Sequence, residues 1–320
     1  MNADTAAATP SVSIFKRLRA GDPIAYTITL AAAACILAIT ALLVYHLWSE
    51  SALPRGKFGW GFITGQVWDP VAEQFGALPF MFGTVVTSLL ALIIAVPIGL
   101  GAAIFLAELA PRSLSSALTF MIELLAAVPS VIYGVLGIFL LVPLLQSYVV
   151  PALVATLGFL PLFKGTFHGV SVFSAGIVLA VMIVPFIVSV SREILLAVPN
   201  DQREAALALG STRWESTWKV VVPYARRGIL GSVFLGLARA LGETMAVTMV
   251  IGNRPSIQTS LLEPGYSIAA VIANEFSEAT SDFYQQSLIE LALVLFALTV
   301  LINGLARLMI LSMDGAARKV

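Results

Sequence analysis

Charge is scarce in this 320-residue chain. Asp, Glu, Lys and Arg together make up 11% of it, while 59% is apolar. An ordinary soluble domain carries roughly 25% charged residues. So few charges cannot cover an exterior that faces water, which makes a polytopic helical membrane protein the default class. The apolar runs are long and continuous, without the polar alternation of barrel strands, so a transmembrane barrel is excluded. A single cysteine, Cys35, excludes an internal disulfide and any multi-thiolate metal site. The only histidines, His46 and His168, lie far apart, and a histidine-based zinc site is not expected. Of the lysines only Lys57 follows a glycine, and Phe58 comes next, so the Gly-Lys-Ser/Thr phosphate cradle is missing. An intramembrane enzyme would need a nucleophile–base pair or metal ligands at bilayer depth, and this inventory offers neither. No catalytic residue, metal or cofactor is assigned.

What is present is a set of apolar runs about 20 residues long, the length that crosses a bilayer. Six are expected: Tyr26–Trp48, Gly83–Leu109, Phe120–Leu145, Val172–Val190, Gly228–Ile251 and Ser287–Ser312. Val149–Phe163 is shorter and lies between prolines, and reads as a re-entrant or interfacial piece. The first run has a basic lead and an Ala-Ala-Ala-Cys stretch reminiscent of a cleavage site. Its length suits a retained helix better than a signal core. With six spans both termini share a side. Most of the 18 basic residues then collect there; only Arg55, Lys57, Lys164 and Arg254 fall opposite, with Arg239 inside a span. The positive-inside rule makes the basic side cytoplasmic. The expected organisation is a cytoplasmic tail at 1–25, a first helix at 26–48, an extracytoplasmic loop at 49–82, a transmembrane domain at 83–312 and a cytoplasmic tail at 313–320.

Two stretches carry function. In the cytoplasmic segment 199–223, Asn200 or Asp201 can cap a helix rich in alanine and leucine, and Gly210 supplies a left-handed stop. Thr212 and Glu215 then form a capping box for a second helix, which Pro223 is expected to end. The result is a helix–glycine–helix element offering small side chains to a close partner. The second stretch lies in the fifth span, where Arg239 and Glu243 are four residues apart and share a face if the helix is continuous. A central Arg costs about 2.5–3.5 kcal/mol on insertion scales, so it faces a bundle interior or a wet cavity. One reading is an anion pathway, with Arg239 attracting the anion and Glu243 holding the guanidinium in place; the other is a structural ion pair that sets helix packing. A fixed carboxylate suits an anion that still carries a proton near neutral pH, as phosphate does and sulfate does not. Ser232, Gly236, Ala240, Thr244, Thr248 and Gly252 recur every fourth position on the same run, a packing stripe in which Thr244 and Thr248 could also present hydroxyls to an oxyanion. Val128-Pro129-Ser130 breaks the third span, placing Ser130 either on a pathway or at a simple kink.

Glu204-Ala205-Ala206, then Gly210, then Val220 and Pro223, resembles the EAA signature of ABC importer permeases, with valines in place of the more usual Ile and Leu. The wider pattern resembles the PstC-type permease subunit of phosphate ABC importers. The matching phrases are Gly83 to Ser88, Phe105-Leu106-Ala107-Glu108, Val128 to Gly134, Ala238 to Val247, Gln258-Thr259-Ser260 and Ala273-Asn274-Glu275-Phe276. The resemblance implies an all-α type I ABC importer permease fold of six transmembrane helices in the bacterial plasma (inner) membrane. It also implies that Glu204, Ala205, Ala206 and Gly210 couple to an ATPase. The implied partners are a second, PstA-type permease, a PstB-type ATPase dimer and a PstS-type extracytoplasmic phosphate-binding protein, with phosphate as cargo, lipid around the chain and no nucleic acid. ATP hydrolysis would belong to the partner, since this chain lacks the phosphate cradle. A permease for another oxyanion or small solute, such as sulfate or molybdate, is the alternative.

Overall fold

The computed structural model describes residues 22–317. Lys16, Arg17 and Arg19 of the leading tail, and Arg318 and Lys319 of the closing one, lie outside the described residues. The chain divides into two units at Glu50. The first unit's described part is one apolar helix, α1 (Asp22–Glu50). Its threonines do not interrupt it, because Thr29 and Thr40 donate their hydroxyls to Ala25 and Ile36 carbonyls one turn back, at 2.9 Å each.

The second unit begins with two short helices, α2 (Ala52–Phe58) and α3 (Gly61–Thr64), and a small antiparallel hairpin of β1 (Trp68–Asp69) and β2 (Gln74–Phe75). Then come α4 (Leu78–Leu109), α5 (Arg112–Ala126), α6 (Ser130–Leu157), α7 (Val172–Leu196), α8 (Asn200–Ala208), α9 (Arg213–Leu241), α10 (Met245–Val250), α11 (Ile268–Glu275) and α12 (Asp282–Ala317). With α1, α4, α6, α7, α9 and α12, six helices are long and apolar enough to cross a membrane.

Helix α7 is the centre of this unit. Of its most apolar 18-residue window, 72% is buried, against 33% for α4 and α9. Leu179, Ile183 and Ile187 of α7 are fully buried and meet Ala91 and Ala95 of α4, Tyr133 of α6 and Val247 and Val250 of α10. A second cluster is aromatic: Trp68 packs edge-on against Phe75 and Phe80, and Phe80 against Tyr266. Glu275 ties the hairpin to α11 and α12 by accepting from Trp68 Nε1 at 2.8 Å and from the Tyr284 hydroxyl at 2.6 Å. Burial pushes the Tyr266 phenol up to about 12, so it stays a neutral donor or acceptor within the cluster.

The third span differs from expectation at both ends. Phe120 sits on the separate helix α5, which stops before the turn at Val128-Pro129, so the span starts at Ser130. It then runs on to Leu157 and absorbs most of the stretch expected to be re-entrant. The reason is a recurring device. Three π-turns, Gly137–Leu141, Leu145–Val149 and Thr217–Val221, end two residues before Pro143, Pro151 and Pro223 inside continuing helices; a fourth among the described residues, Phe105–Leu109, closes α4 before Pro111. Proline lacks an N–H and crowds the carbonyl one turn back; a widened turn relieves that clash and lets the helix continue. For the same reason Pro223 does not end the second helix of segment 199–223. That helix passes through its π-turn and becomes the fifth span, α9.

Candidate functional site

The fifth span is broken where it was expected to be continuous. Helix α9 ends at Leu241, Gly242 leaves the helical region, and α10 starts at Met245. The packing stripe is cut at the same place. Its first half is buried as expected: the Ser232 hydroxyl lies 2.7 Å from that of Ser191 on α7, and Ala240 is in the central core.

The break separates Arg239 from Glu243, correcting the expected shared face. Arg239 lies in the last turn of α9, is exposed, and holds its guanidinium carbon 5.6 Å from the ring centre of Phe186 on α7. Among the described residues it forms no ion pair. Glu243 turns instead to the new helix start, where its Oε1 accepts from the Ala246 N–H at 3.1 Å. A carboxylate there neutralises the positive end of α10. Thr244 is the N-cap residue of α10, and its hydroxyl donates to the Gly242 carbonyl only at a long 3.4 Å. The Thr248 hydroxyl donates firmly to the Thr244 carbonyl, at 2.7 Å.

Helix α6 runs beside α10. A side chain at Gly134 would place its Cβ 2.5 Å from Met249 Sδ and 3.2 Å from Ala246 Cα, so only glycine permits this approach. Three residues on, Gly137 faces Val250. The two helices therefore run parallel, which brings their N-terminal ends, Ser130 and Thr244, to the same level of the bundle. Tyr133 braces the α6 start by donating to the Leu125 carbonyl at 2.7 Å. Arg239, Glu243, Thr244 and Ser130 thus belong to one region, the level at which two helices begin.

Segment 199–223 has the expected helix–glycine–helix form. Gly210 takes φ +86° between α8 and α9, and the capping box has both its bonds: Glu215 N–H to Thr212 Oγ1 at 3.3 Å, and Thr212 N–H to Glu215 Oε2 at 3.0 Å. The cap of α8 differs. Its N-cap is Pro199, and neither Asn200 nor Asp201 caps it; the Asn200 side chain receives Arg203 instead. Glu204, Ala205 and Gly210 are exposed, whereas Ala206 is buried. Around them Leu209 is 88% exposed and Trp214 56%, an apolar surface with nothing on it in this chain.

Sequence reasoning missed what holds this element. Arg203 reaches Glu108 at the end of α4, with Nη2 2.7 Å from Oε1 and Nε 3.2 Å from Oε2. Its remaining donors go to the Leu195 and Val198 carbonyls at the end of α7. One guanidinium thus fastens α8 to two spans. The available signal was Glu108, a lone carboxylate closing an apolar run, together with an arginine directly before Glu204.

Six apolar helices of membrane-crossing length, one of the spans split, and a helix–glycine–helix element pinned to α4 and α7 fit a membrane permease subunit, and sequence comparison agrees. The chain belongs to the family described as binding-protein-dependent transport system inner membrane component, whose model matches residues 95–314. It is 45% identical over 93% of each chain to the phosphate transport system permease protein PstC of Mesorhizobium japonicum. It is 47% identical over 87% of each chain to the protein of that name from Pasteurella multocida. Among solved structures, an inward facing MetNI methionine ABC transporter matches 77% of this chain and 99% of its own, with a TM-score of 0.53 and 16% identity. At that identity the likeness shows the fold alone, that of the type I ABC importer permeases.

Proposed function

We propose that this chain is the permease subunit of an ATP-driven inorganic phosphate importer, forming half of the translocation path. The observation that carries the reading is Arg239: an arginine at the break of an apolar span, next to a carboxylate it does not pair with. An unpaired guanidinium there is available to a passing anion. Glu243 occupies a helix N-terminal N–H of the kind that binds phosphate oxygens elsewhere. A monohydrogen phosphate entering this level would meet Arg239 as donor and Glu243 as acceptor for its own proton; sulfate has no proton to offer. Thr244, with its long hydrogen bond, is free to turn its hydroxyl toward the anion, and Ser130 lies at the same level. Thr248 is wall, because its hydroxyl is engaged. The relatives named above carry phosphate in their names, so the sulfate or molybdate alternative is not taken up.

Segment 199–223 is assigned to the cytoplasm, with both termini, from the distribution of basic residues. There Glu204, Ala205 and Gly210 with the exposed Leu209 and Trp214 would seat against an ATPase subunit, and Arg203 would pass its movement to α4 and α7. A second permease of the PstA type and a PstS-type binding protein complete the assembly in this reading. Phosphate uptake by the reconstituted complex tests it. Arg239→Gln should lose uptake while the complex still assembles, and Glu204→Ala should uncouple ATP hydrolysis from uptake or weaken ATPase association. Wild-type uptake in both variants would reject these assignments, and unchanged exclusion of sulfate in Glu243→Ala would reject the proton-based selectivity.

A further inference from the structure

Below Arg239, α9 is bare of charge. No charged residue lies at 228–238, and the single hydroxyl there, Ser232, is buried against Ser191. The i±4 row from Arg239 runs back through Leu235, Gly231 and Arg227 to Pro223, all on the uninterrupted stretch Val222–Leu241. This row is open. Leu235 is 54% exposed, a Cβ at Gly231 would meet nothing within 4 Å, and Arg227 and Pro223 are exposed. Ala225 and Ile229 of the same helix are instead buried with residues of α4 and α7. At 1.5 Å per residue, Arg239 and Arg227 stand about 18 Å apart along the axis.

The row ends in an open cavity of about 700 Å³, lined by Lys219, Val220, Pro223, Tyr224, Arg226 and Arg227. Among the described residues three cations line it and no carboxylate does. All three cations are exposed, so their donors can be reached. Arg226 forms no ion pair among the described residues. Lys219 meets Glu215 at 3.3 Å, but the two side chains are 72% and 42% exposed, and such an i,i+4 surface pair holds a lysine only weakly. The excess of charge is therefore positive, and it is accessible.

We propose that this cavity is a second, weaker site for inorganic phosphate, the station the anion reaches after leaving Arg239 toward the cytoplasm. Its place on the route rests on the phosphate-path reading above. Its chemistry does not: Arg226 and Lys219 supply charged donors to an oxyanion whatever route brings it. Between the two stations α9 offers the anion no free donor. Exposure to cytosolic ions screens the lower station, and a screened site releases its anion readily.

The test uses the full chain co-expressed with its partner permease and ATPase subunits and purified in detergent. Inorganic phosphate is titrated and followed by phosphorus NMR line width on an Arg239→Gln background, which removes the upper site. Phosphate held by the ATPase is common to all variants and drops out of the comparison. Lys219→Gln combined with Arg226→Gln should weaken the remaining binding about ten-fold or more, and Arg226→Lys, which keeps the charge, should retain most of it. With Arg239 intact, the double variant should lower maximal uptake several-fold and leave the KM for external phosphate unchanged, a split that a general lesion of the fold would not give. If the double variant fails to assemble, Arg226→Gln alone is read in the same way. Unchanged phosphate binding overturns the proposal. So does a loss of ATPase association or of phosphatidylglycerol retention in its place, which would make the cavity a subunit or lipid contact. Loss of cavity binding in the double variant, together with wild-type uptake in Arg239→Gln, would leave this site standing and reject the path reading instead.

Discussion

Two arginine–carboxylate sets sit on this chain and end in opposite states. Arg203 and Glu108 are 95 positions apart, yet they close into a tight ion pair with added bonds to two helix-end carbonyls. Arg239 and Glu243 are four apart and do not pair, because the helix that would have aligned them ends between them. Nearness in sequence decided neither outcome. A guanidinium whose donors are all met is a fastening; one without a carboxylate is the proposed site. The fastening lies where segment 199–223 joins the spans, and the proposed site lies where a span is interrupted.

This contrast can be broken by substitution. The largest effect on stability is expected from Glu108→Ala, which strands the Arg203 guanidinium among carbonyls. The loss should be about 2–4 kcal/mol, read as a fall in Tm of the purified chain. Arg239→Gln should leave Tm within about 1 kcal/mol of wild type, since no ion pair is lost, while uptake falls about 10–100-fold, or roughly 1.5–3 kcal/mol of anion binding. If Arg239→Gln destabilised the fold as much as Glu108→Ala, the distinction between fastening and site would fail. Thr212→Ala removes the capping box and should cost about 1 kcal/mol, seen as faster hydrogen exchange confined to residues 213–216. Thr248→Val should change stability and uptake least, by under about 0.5 kcal/mol, because its hydroxyl only returns to its own helix. A large loss of uptake in that variant would instead make Thr248 an anion ligand.

Much of the molecule was legible beforehand. Long apolar runs force helices, since no other local structure satisfies its backbone in lipid, and so the span count could be read directly. Thr212, Glu215 and Gly210 could be read because caps and left-handed stops are local chemistry. The prolines misled. Pro151 and Pro223 look like helix ends, but each follows a π-turn that absorbs it, so span three ends later and span five begins earlier than expected. The break at Gly242 was not legible either. A glycine inside an apolar run is tolerated in most helices, and the bond by which Glu243 caps the next helix at the Ala246 N–H forms only once the chain has turned.

The amino-acid order alone determined that this chain is a bundle of membrane-crossing helices with a capped helix–glycine–helix element, because those features depend on hydropathy and on contacts within one turn. Which charges meet was settled only in three dimensions. Arg203 finds Glu108 because α8 folds back against the end of α4, and Arg239 loses Glu243 because the chain turns at Gly242. Electrostatic pairing acts over a few ångströms of space, and that spacing exists only once the helices are packed.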